Sequence, residues 1–155
     1  MGLRVVAIDT GDVKRDLCLT LGAEKWIDFK TSTDLIKDVK EATGGHGPQA
    51  VVIAASNPGP IEQAVKYVRS KGIIVIVGVP SGGATFTVSI NLVVAKCISI
   101  IGTSVGSRQD AIEALDLAAR GKVGCHYEVR DFSEVNAVFA ELAAQNVGGR
   151  IVLKL

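Results

Sequence analysis

Short apolar runs alternate along this chain with stretches in which apolar residues recur every three or four positions. Residues 3–8 are a mostly apolar run that closes on Asp9. After Thr10-Gly11, the spacing of Val13, Leu17 and Leu21 predicts a helix capped by Asp12 and ended by Gly22. Trp26-Ile27-Asp28-Phe29 reads as a short strand. A second helix carries Leu35, Ile36, Val39 and Ala42, with Ser32 or Thr33 as its cap and Gly44-Gly45 as its stop. A strand over 51–55 leads to a third helix opened by Pro58 and Pro60, whose inner face is Ile61, Ala64, Val65 and Val68. The next strand, 73–77, breaks at Gly78 and is followed by a polar turn over 80–83. Beyond it the pattern predicts a strand over 86–90, a short helix over 92–97, a buried strand over 98–101 and a helix over 110–119. The end changes character: Tyr127-Glu128-Val129 alternates like a half-exposed strand. Ser133 caps a helix bearing Val135, Val138, Phe139 and Leu142, and 150–155 closes as a strand.

Strand, helix, strand repeated over most of the length argues for an α/β fold with a parallel sheet and right-handed crossovers. Its runs, such as 50–55, 73–77 and 98–101, are too short to cross a bilayer and suit strands covered by helices on both faces. The last segment is expected to form a separate substructure. No internal repeat or low-complexity linker interrupts the pattern.

Composition narrows the function classes. The length of 155 residues fits a single core, and 48% hydrophobic content with a mean hydropathy of +0.35 is concentrated in the strand-like runs. No membrane span and no secretory leader are read from the sequence. Three cysteines, Cys18, Cys97 and Cys125, lack paired spacing and suit reduced thiols in the cytoplasm. The net charge of +1 is spread along the chain, which argues against a nucleic-acid partner.

Candidate chemistry begins at Asp9. An apolar strand ending on an acid is how the second strand of a dinucleotide-binding βαβ unit reads, its carboxylate accepting hydrogen bonds from the adenosine ribose hydroxyls. The glycine-rich turn of such a unit lies roughly 20 residues upstream. The chain is therefore expected to be the downstream part of a nucleotide-binding enzyme. The competing reading of Asp9 is an exposed strand-end or helix-capping carboxylate near Lys14. Gly44-Gly45-His46-Gly47 follows no strand and reads as a helix stop. Gly102-Thr103-Ser104-Val105-Gly106 does join a strand to a helix, although two glycines at that spacing are not specific for phosphate. Cys125-His126 has no second donor pair for a tetrahedral zinc site, and no serine or cysteine sits in a nucleophile elbow.

A family resemblance emerges from the segments together. They are Val5-Val6-Ala7-Ile8-Asp9, Gly22-Ala23 with Ile27-Asp28-Phe29, Tyr67-Val68-Arg69, Val75-Ile76-Val77-Gly78, Gly102-Thr103-Ser104-Val105-Gly106 with Arg108, Glu113-Ala114-Leu115-Asp116, Ala119-Arg120-Gly121-Lys122 and Gly149-Arg150. In this order they resemble the zinc-dependent alcohol dehydrogenases of the medium-chain dehydrogenase family, in particular the fungal, yeast-type branch.

The resemblance implies a Rossmann domain over residues 1–124, a doubly wound parallel sheet lacking its first central strand, and a return segment of the catalytic domain over 125–155. It implies that Asp9 takes the adenosine ribose hydroxyls and favours NAD over NADP by repelling a 2′-phosphate. Lys14 would reach the same ribose and Phe29 would border the adenine. Val77, Thr103 and Val105 would contact the nicotinamide half, and Arg150 a cofactor phosphate. Thr103 stands where a serine is expected. The family's zinc ligands and glycine-rich turn precede this region, so the chain alone is expected to be inactive and to bind NAD weakly. Met1 would correspond to an internal methionine, as in a truncated gene model, a gene fragment or an internal start.

The sheet would then be split into an outer pair and an inner trio with unpaired edges. The family reaction is hydride transfer between a small alcohol and its aldehyde or ketone. The expected partners are further copies of the chain, associating through the 87–90 strand, or a full-length dehydrogenase. A non-catalytic nucleotide-binding or subunit-association module, or a nonfunctional gene fragment, stands as the alternative.

Overall fold

The computed structural model describes residues 2–80, 82–144 and 147–155, so Ser81 of the predicted 80–83 turn lies outside the described residues. Its elements in chain order are β1 (Val6–Asp9), α1 (Asp12–Thr20), β2 (Lys25–Asp28), α2 (Leu35–Ala42), β3 (Ala50–Ile53), α3 (Gly59–Tyr67), β4 (Ile73–Ile76), α4 (Ile90–Lys96) and β5 (Ser99–Gly102). There follow α5 (Arg108–Ala119), β6 (Tyr127–Asp131), a 3₁₀ turn (Phe132–Glu134), α6 (Val135–Ala143) and β7 (Arg150–Lys154). Packing divides them into two units, Met1–Val105 and Gly106–Leu155. Among the described residues no helix is long and apolar enough to cross a membrane.

Every strand pairing is parallel, as the alternation of strands and helices requires. In the first unit β1 pairs with β2, and β3, β4 and β5 form a separate trio in that order. The expected split into a pair and a trio is what the hydrogen bonding shows. Registers run from Val6↔Lys25 to Asp9↔Asp28, from Ala50↔Ile73 to Ile53↔Ile76 and from Ile73↔Ser99 to Ile76↔Gly102. All five strands therefore deliver their carboxyl ends, where ligands bind in open α/β sheets, at Asp9, Asp28, Ile53, Ile76 and Gly102.

One core holds the unit together. Val39 of α2, Ile61, Ala64, Val65 and Tyr67 of α3, Val68, Ile53 of β3, Ile74 of β4 and Ile98 are buried together. Ile8 of β1, Ile27 of β2 and Ile100 of β5 pack against them, so the pair and the trio share one hydrophobic layer. Period-2 alternation explains the choice: Ile53 points into this layer while its neighbour Val52 points out. The end of α3 is tied down by Lys96, whose ammonium donates to the carbonyls of Val65 (3.1 Å), Lys66 (2.9 Å) and Val68 (2.9 Å). These are helix-end carbonyls without intrahelical donors.

Several local expectations are corrected. The strands are not covered on both faces within the described residues: Val52 is 66% exposed and Ile101 49%, because α2, α3 and the core side chains lie on the opposite face. The predicted inner face of α1 is open too, with Val13 and Leu21 exposed. Gly11 rather than Asp12 occupies the N-cap of α1, and Asp12 pairs with Arg15 instead. Asp34, not Ser32 or Thr33, caps α2 by accepting from the Lys37 amide, while the Ser32 hydroxyl donates to Asp38. Residues 86–89 are not a strand; the Thr87 amide donates to the Glu62 carboxylate at 2.8 Å, and α4 starts at Ile90. Ser133 does not cap α6: its amide and hydroxyl both donate to Asp131, which caps the intervening 3₁₀ turn.

In the second unit α6 links β6 and β7 as a parallel βαβ element around buried Val138, and a capping box of Ser107 and Asp110 starts α5.

Burial of Tyr67, 3% exposed, pushes its phenol up to about 12. An unfolded tyrosine ionises near 10, so the contribution of Tyr67 is constant below that pH and falls between about 10 and 12, by up to about 1.4 kcal/mol per pH unit. Denaturant unfolding at rising alkaline pH is expected to show this loss in the native chain and a smaller one in Tyr67→Phe. Equal losses would refute the burial argument.

Candidate functional site

Two in-register carboxylates, Asp9 and Asp28, end β1 and β2. They differ in how they are satisfied. Asp28 is committed to its surroundings: Oδ1 accepts from the Lys30 amide (2.8 Å), and Oδ2 from the Thr10 hydroxyl (3.1 Å) and the Gly11 amide (3.4 Å). These bonds, the Lys30 amide foremost, hold its carboxyl below the usual aspartate range. Asp9 uses only one oxygen, Oδ1, which accepts from the Thr10 amide (2.8 Å) and the Lys14 ammonium (3.2 Å). Its Oδ2 accepts no hydrogen bond from the described residues, and the side chain is 45% exposed.

The turn between β1 and α1 is built for this division of roles. Gly11 has φ 100° and ψ 140°, a conformation closed to residues with a Cβ, and it brings its amide toward Asp28. One turn into α1, Lys14 then comes back over Asp9. The Phe29 amide donates to the Asp9 carbonyl at 3.2 Å, which fixes Phe29, 47% exposed, beside the strand end. Of the residues the sequence nominates, Asp9, Lys14 and Phe29 are brought together. Asp28, which orders the turn beneath them, enters the sequence reading as part of a strand and of a resemblance segment and not as a site residue; the signal for it is a second apolar run ending on an acid.

Val77, Thr103 and Val105 stand at the ends of β4 and β5. The amides of Val77 and Gly78 both donate to the Ile53 carbonyl at 2.9 Å, and the Thr103 amide to the Ile76 carbonyl at 3.0 Å. Gly78 is required here, since a Cβ would lie 2.3 Å from the Ala55 carbonyl oxygen. Val77 is 47% and Val105 99% exposed, so both offer apolar surface. Val105 has φ 43°, a left-handed conformation that is rare for a β-branched residue.

Arg150 belongs to the second unit. Its amide donates to the His126 carbonyl, and its side chain borders a cleft of about 110 Å³ with His126, Glu128, Arg130 and Glu141. Arg130 is gripped from both sides, by Glu128 (2.9 and 3.1 Å) and Glu141 (2.7 and 3.1 Å), and these carboxylates raise its pKa. Among the described residues Arg150 forms no ion pair, whereas Arg130 is paired with Glu128 and Glu141. A wider depression of about 330 Å³ lies along β2, lined by Trp26, Ile27, Asp28, Thr31, Ser32 and Asp38. Neither depression includes Asp9, Val77 or Thr103, which lie on the open strand-end surface. Among the described residues no three His, Cys, Asp or Glu side chains are grouped to hold a metal ion.

Comparison with known proteins places this geometry in context. Residues 1–120 match the family described as zinc-binding dehydrogenase. The chain is 42% identical to Alcohol dehydrogenase 1 of Emericella nidulans over 156 residues, which is 100% of this chain and 44% of that protein. It is 40% identical to an alcohol dehydrogenase of Schizosaccharomyces pombe, again over 100% of this chain and 44% of the relative. The chain thus spans less than half the length of the curated relatives it matches. Among solved structures, that of the alcohol dehydrogenase of the hyperthermophilic archaeon Aeropyrum pernix superposes with a TM-score of 0.89 at 27% identity, over 97% of this chain and 42% of that one.

Because Asp28 binds its proton less tightly when folded than when unfolded, it contributes stability above the ordinary aspartate range and loses it as pH falls through its folded value. Asp28→Asn is expected to lose less stability than the native chain between pH 7 and pH 3, and to exchange the Gly11 amide faster. An unchanged acid loss would remove Asp28 from this role.

Proposed function

Because the chain belongs to the zinc-binding dehydrogenase family, we propose that it supplies the NAD-binding surface of an alcohol dehydrogenase-like oxidoreductase. The observation that carries this reading is the Asp9 carboxylate, with one oxygen held by Thr10 and Lys14 and the other open to a ligand hydroxyl. A ribose diol suits such a group, and a 2′-phosphate is repelled by it. Lys14 holds the carboxylate and reaches the same ribose, and Phe29 offers a ring to the adenine. Val77, Thr103 and Val105 line the nicotinamide side, and Arg150 takes a phosphate. Bound NAD would supply the hydride acceptor for oxidation of a small alcohol to its aldehyde or ketone. Residues 1–124 are read as the cofactor domain and 125–155 as the return segment of the catalytic domain.

Zinc is a different case. Cys125 and His126 are adjacent and no third donor joins them among the described residues, so these residues do not fit a zinc site and no step is assigned to one. That observation favours, as a second reading, a non-catalytic nucleotide-binding or subunit-association module. Self-association through residues 87–90, or association with a full-length dehydrogenase, belongs to the same reading. Three free cysteines suit the cytoplasm.

The ribose contact is tested on a polypeptide of these 155 residues. A charge-assisted hydrogen bond contributes about 1.5–3 kcal/mol, or roughly 10- to 100-fold in affinity. NADH is expected to bind in the millimolar range, and Asp9→Ala to weaken it by at least about tenfold while narrowing the preference over NADPH. Calorimetry or ligand-observed NMR reads both effects. NADH affinity indifferent to Asp9→Ala would refute the assignment. The same polypeptide is expected to hold no stoichiometric zinc and to leave ethanol unoxidised in the presence of NAD; metal analysis showing one zinc per chain, with turnover, would overturn the separation of cofactor surface from metal.

A further inference from the structure

Two carboxylates stand side by side at the proposed ribose contact, and only one of them is neutralised. Asp9 and Asp28 end neighbouring strands in register, where backbones run about 4.8 Å apart. Thr10 serves both: its amide donates to Asp9 Oδ1 at 2.8 Å and its hydroxyl to Asp28 Oδ2 at 3.1 Å. The Lys14 ammonium lies 3.2 Å from Asp9 and offsets much of that charge. No such cation answers Asp28. Among the described residues its partners are the Thr10 hydroxyl and the Gly11 and Lys30 amides, all of them neutral donors. These bonds hold its carboxyl below the usual aspartate range, so it is ionised at neutral pH.

We infer that Asp28 is a second specificity-determining residue of this surface, whose uncompensated carboxylate and captured donors exclude a dinucleotide that carries a 2′-phosphate. The inference rests on the reading of Asp9 as the ribose ligand. Charge is its first support. A group attached to a ribose hydroxyl on Asp9 lies roughly one or two strand spacings from Asp28, about the Debye length of 8 Å at physiological salt, so repulsion between the two anions is only partly screened. The Asp9–Lys14 pair is close to neutral at that range, and Lys14 itself attracts a phosphate. Asp28 therefore supplies the excess negative charge. The donors are the second support. A phosphate is held by hydrogen-bond donors, and the Thr10 hydroxyl (3.1 Å), the Gly11 amide (3.4 Å) and the Lys30 amide (2.8 Å) are already directed at Asp28. The φ of 100° at Gly11 sets its amide in that direction. A 2′-phosphate could take these donors only by displacing a carboxylate already oriented on them. A ribose hydroxyl is neutral and seeks an acceptor, so it meets neither obstacle.

The test compares NADH with NADPH, which differ only in the 2′-phosphate, by ligand-observed NMR on the 155-residue chain. Asp28→Asn keeps the shape and one acceptor and removes the charge. It is expected to raise the affinity for NADPH relative to NADH at least about fivefold, chiefly by tightening NADPH. A residue that only held the turn would weaken both ligands together and leave their ratio fixed. Thr10→Val removes the hydroxyl tie and keeps both carboxylates, so its ratio is expected to stay within about twofold of the native one. Asp28→Ser carries the same expectation as Asp28→Asn and replaces it where thermal unfolding shows that variant to be unfolded. An unmoved ratio in a folded neutral variant whose NADH binding still depends on Asp9 would overturn this inference and leave the ribose reading in place. So would a gain from Thr10→Val equal to that from Asp28→Asn, which would assign the discrimination to turn geometry. NADH affinity indifferent to Asp9→Ala would remove the ribose reading and this inference with it.

Discussion

Ile8 and Ile27 on one half-sheet and Ile53, Ile74 and Ile100 on the other all meet the side chains of α2 and α3 in a single buried layer. The strand-end part of the candidate site depends on that shared contact. Hydrogen bonding alone would leave β1–β2 and β3–β4–β5 as independent ladders. Apolar burial, at about 25 cal/mol per Å², is what holds them to one side of the same helices. Because all five strands are parallel, the same contact sends Asp9, Asp28, Val77 and Thr103 toward the carboxyl ends of the strands. A loss of packing at Ile74, which is fully buried at the centre of the trio, would therefore disturb the site without touching any of its residues.

At the strand ends, two carboxylates that look alike in sequence have opposite roles. Asp28 spends both oxygens on the Thr10–Gly11 turn and the Lys30 amide, and its depressed pKa follows from those bonds. Asp9 is left with one oxygen unused. A ligand-binding acid needs a carboxylate oriented by its neighbours and not saturated by them. The turn that orients Asp9 is itself held by Asp28, so the proposed ribose contact depends on a residue that would never touch the ribose.

The parts of this arrangement legible in the sequence are those set by local pattern. Apolar runs placed most strands within a residue or two, with β1 starting three residues into its run, and Pro58-Gly59-Pro60 marked the start of α3. The acid closing the first run marked Asp9 as a candidate. What escaped the pattern depends on partners distant in the chain. The 86–90 run alternates as a strand does, but no neighbouring strand among the described residues pairs with it, and Glu62 takes the Thr87 amide instead. Ser32, Ser133 and Asp12 carry good capping side chains, yet each finds a closer ionic or hydroxyl partner in Asp38, Asp131 or Arg15. Apolar periodicity says which face of α1 is hydrophobic and cannot say whether anything lies against it.

That last point also governs the β5 end. Left-handed backbone at a non-glycine residue costs about 1–3 kcal/mol and persists where surroundings over-determine it. At Val105 the side chain is 99% exposed, so no packing within the described residues compels φ 43°. Two residues upstream, the Thr103 amide is pinned to the Ile76 carbonyl. At 99% exposure the Val105 methyl groups have no packing partner among the described residues. The nicotinamide contact proposed for Val77 and Val105 would draw on apolar surface left open in this way.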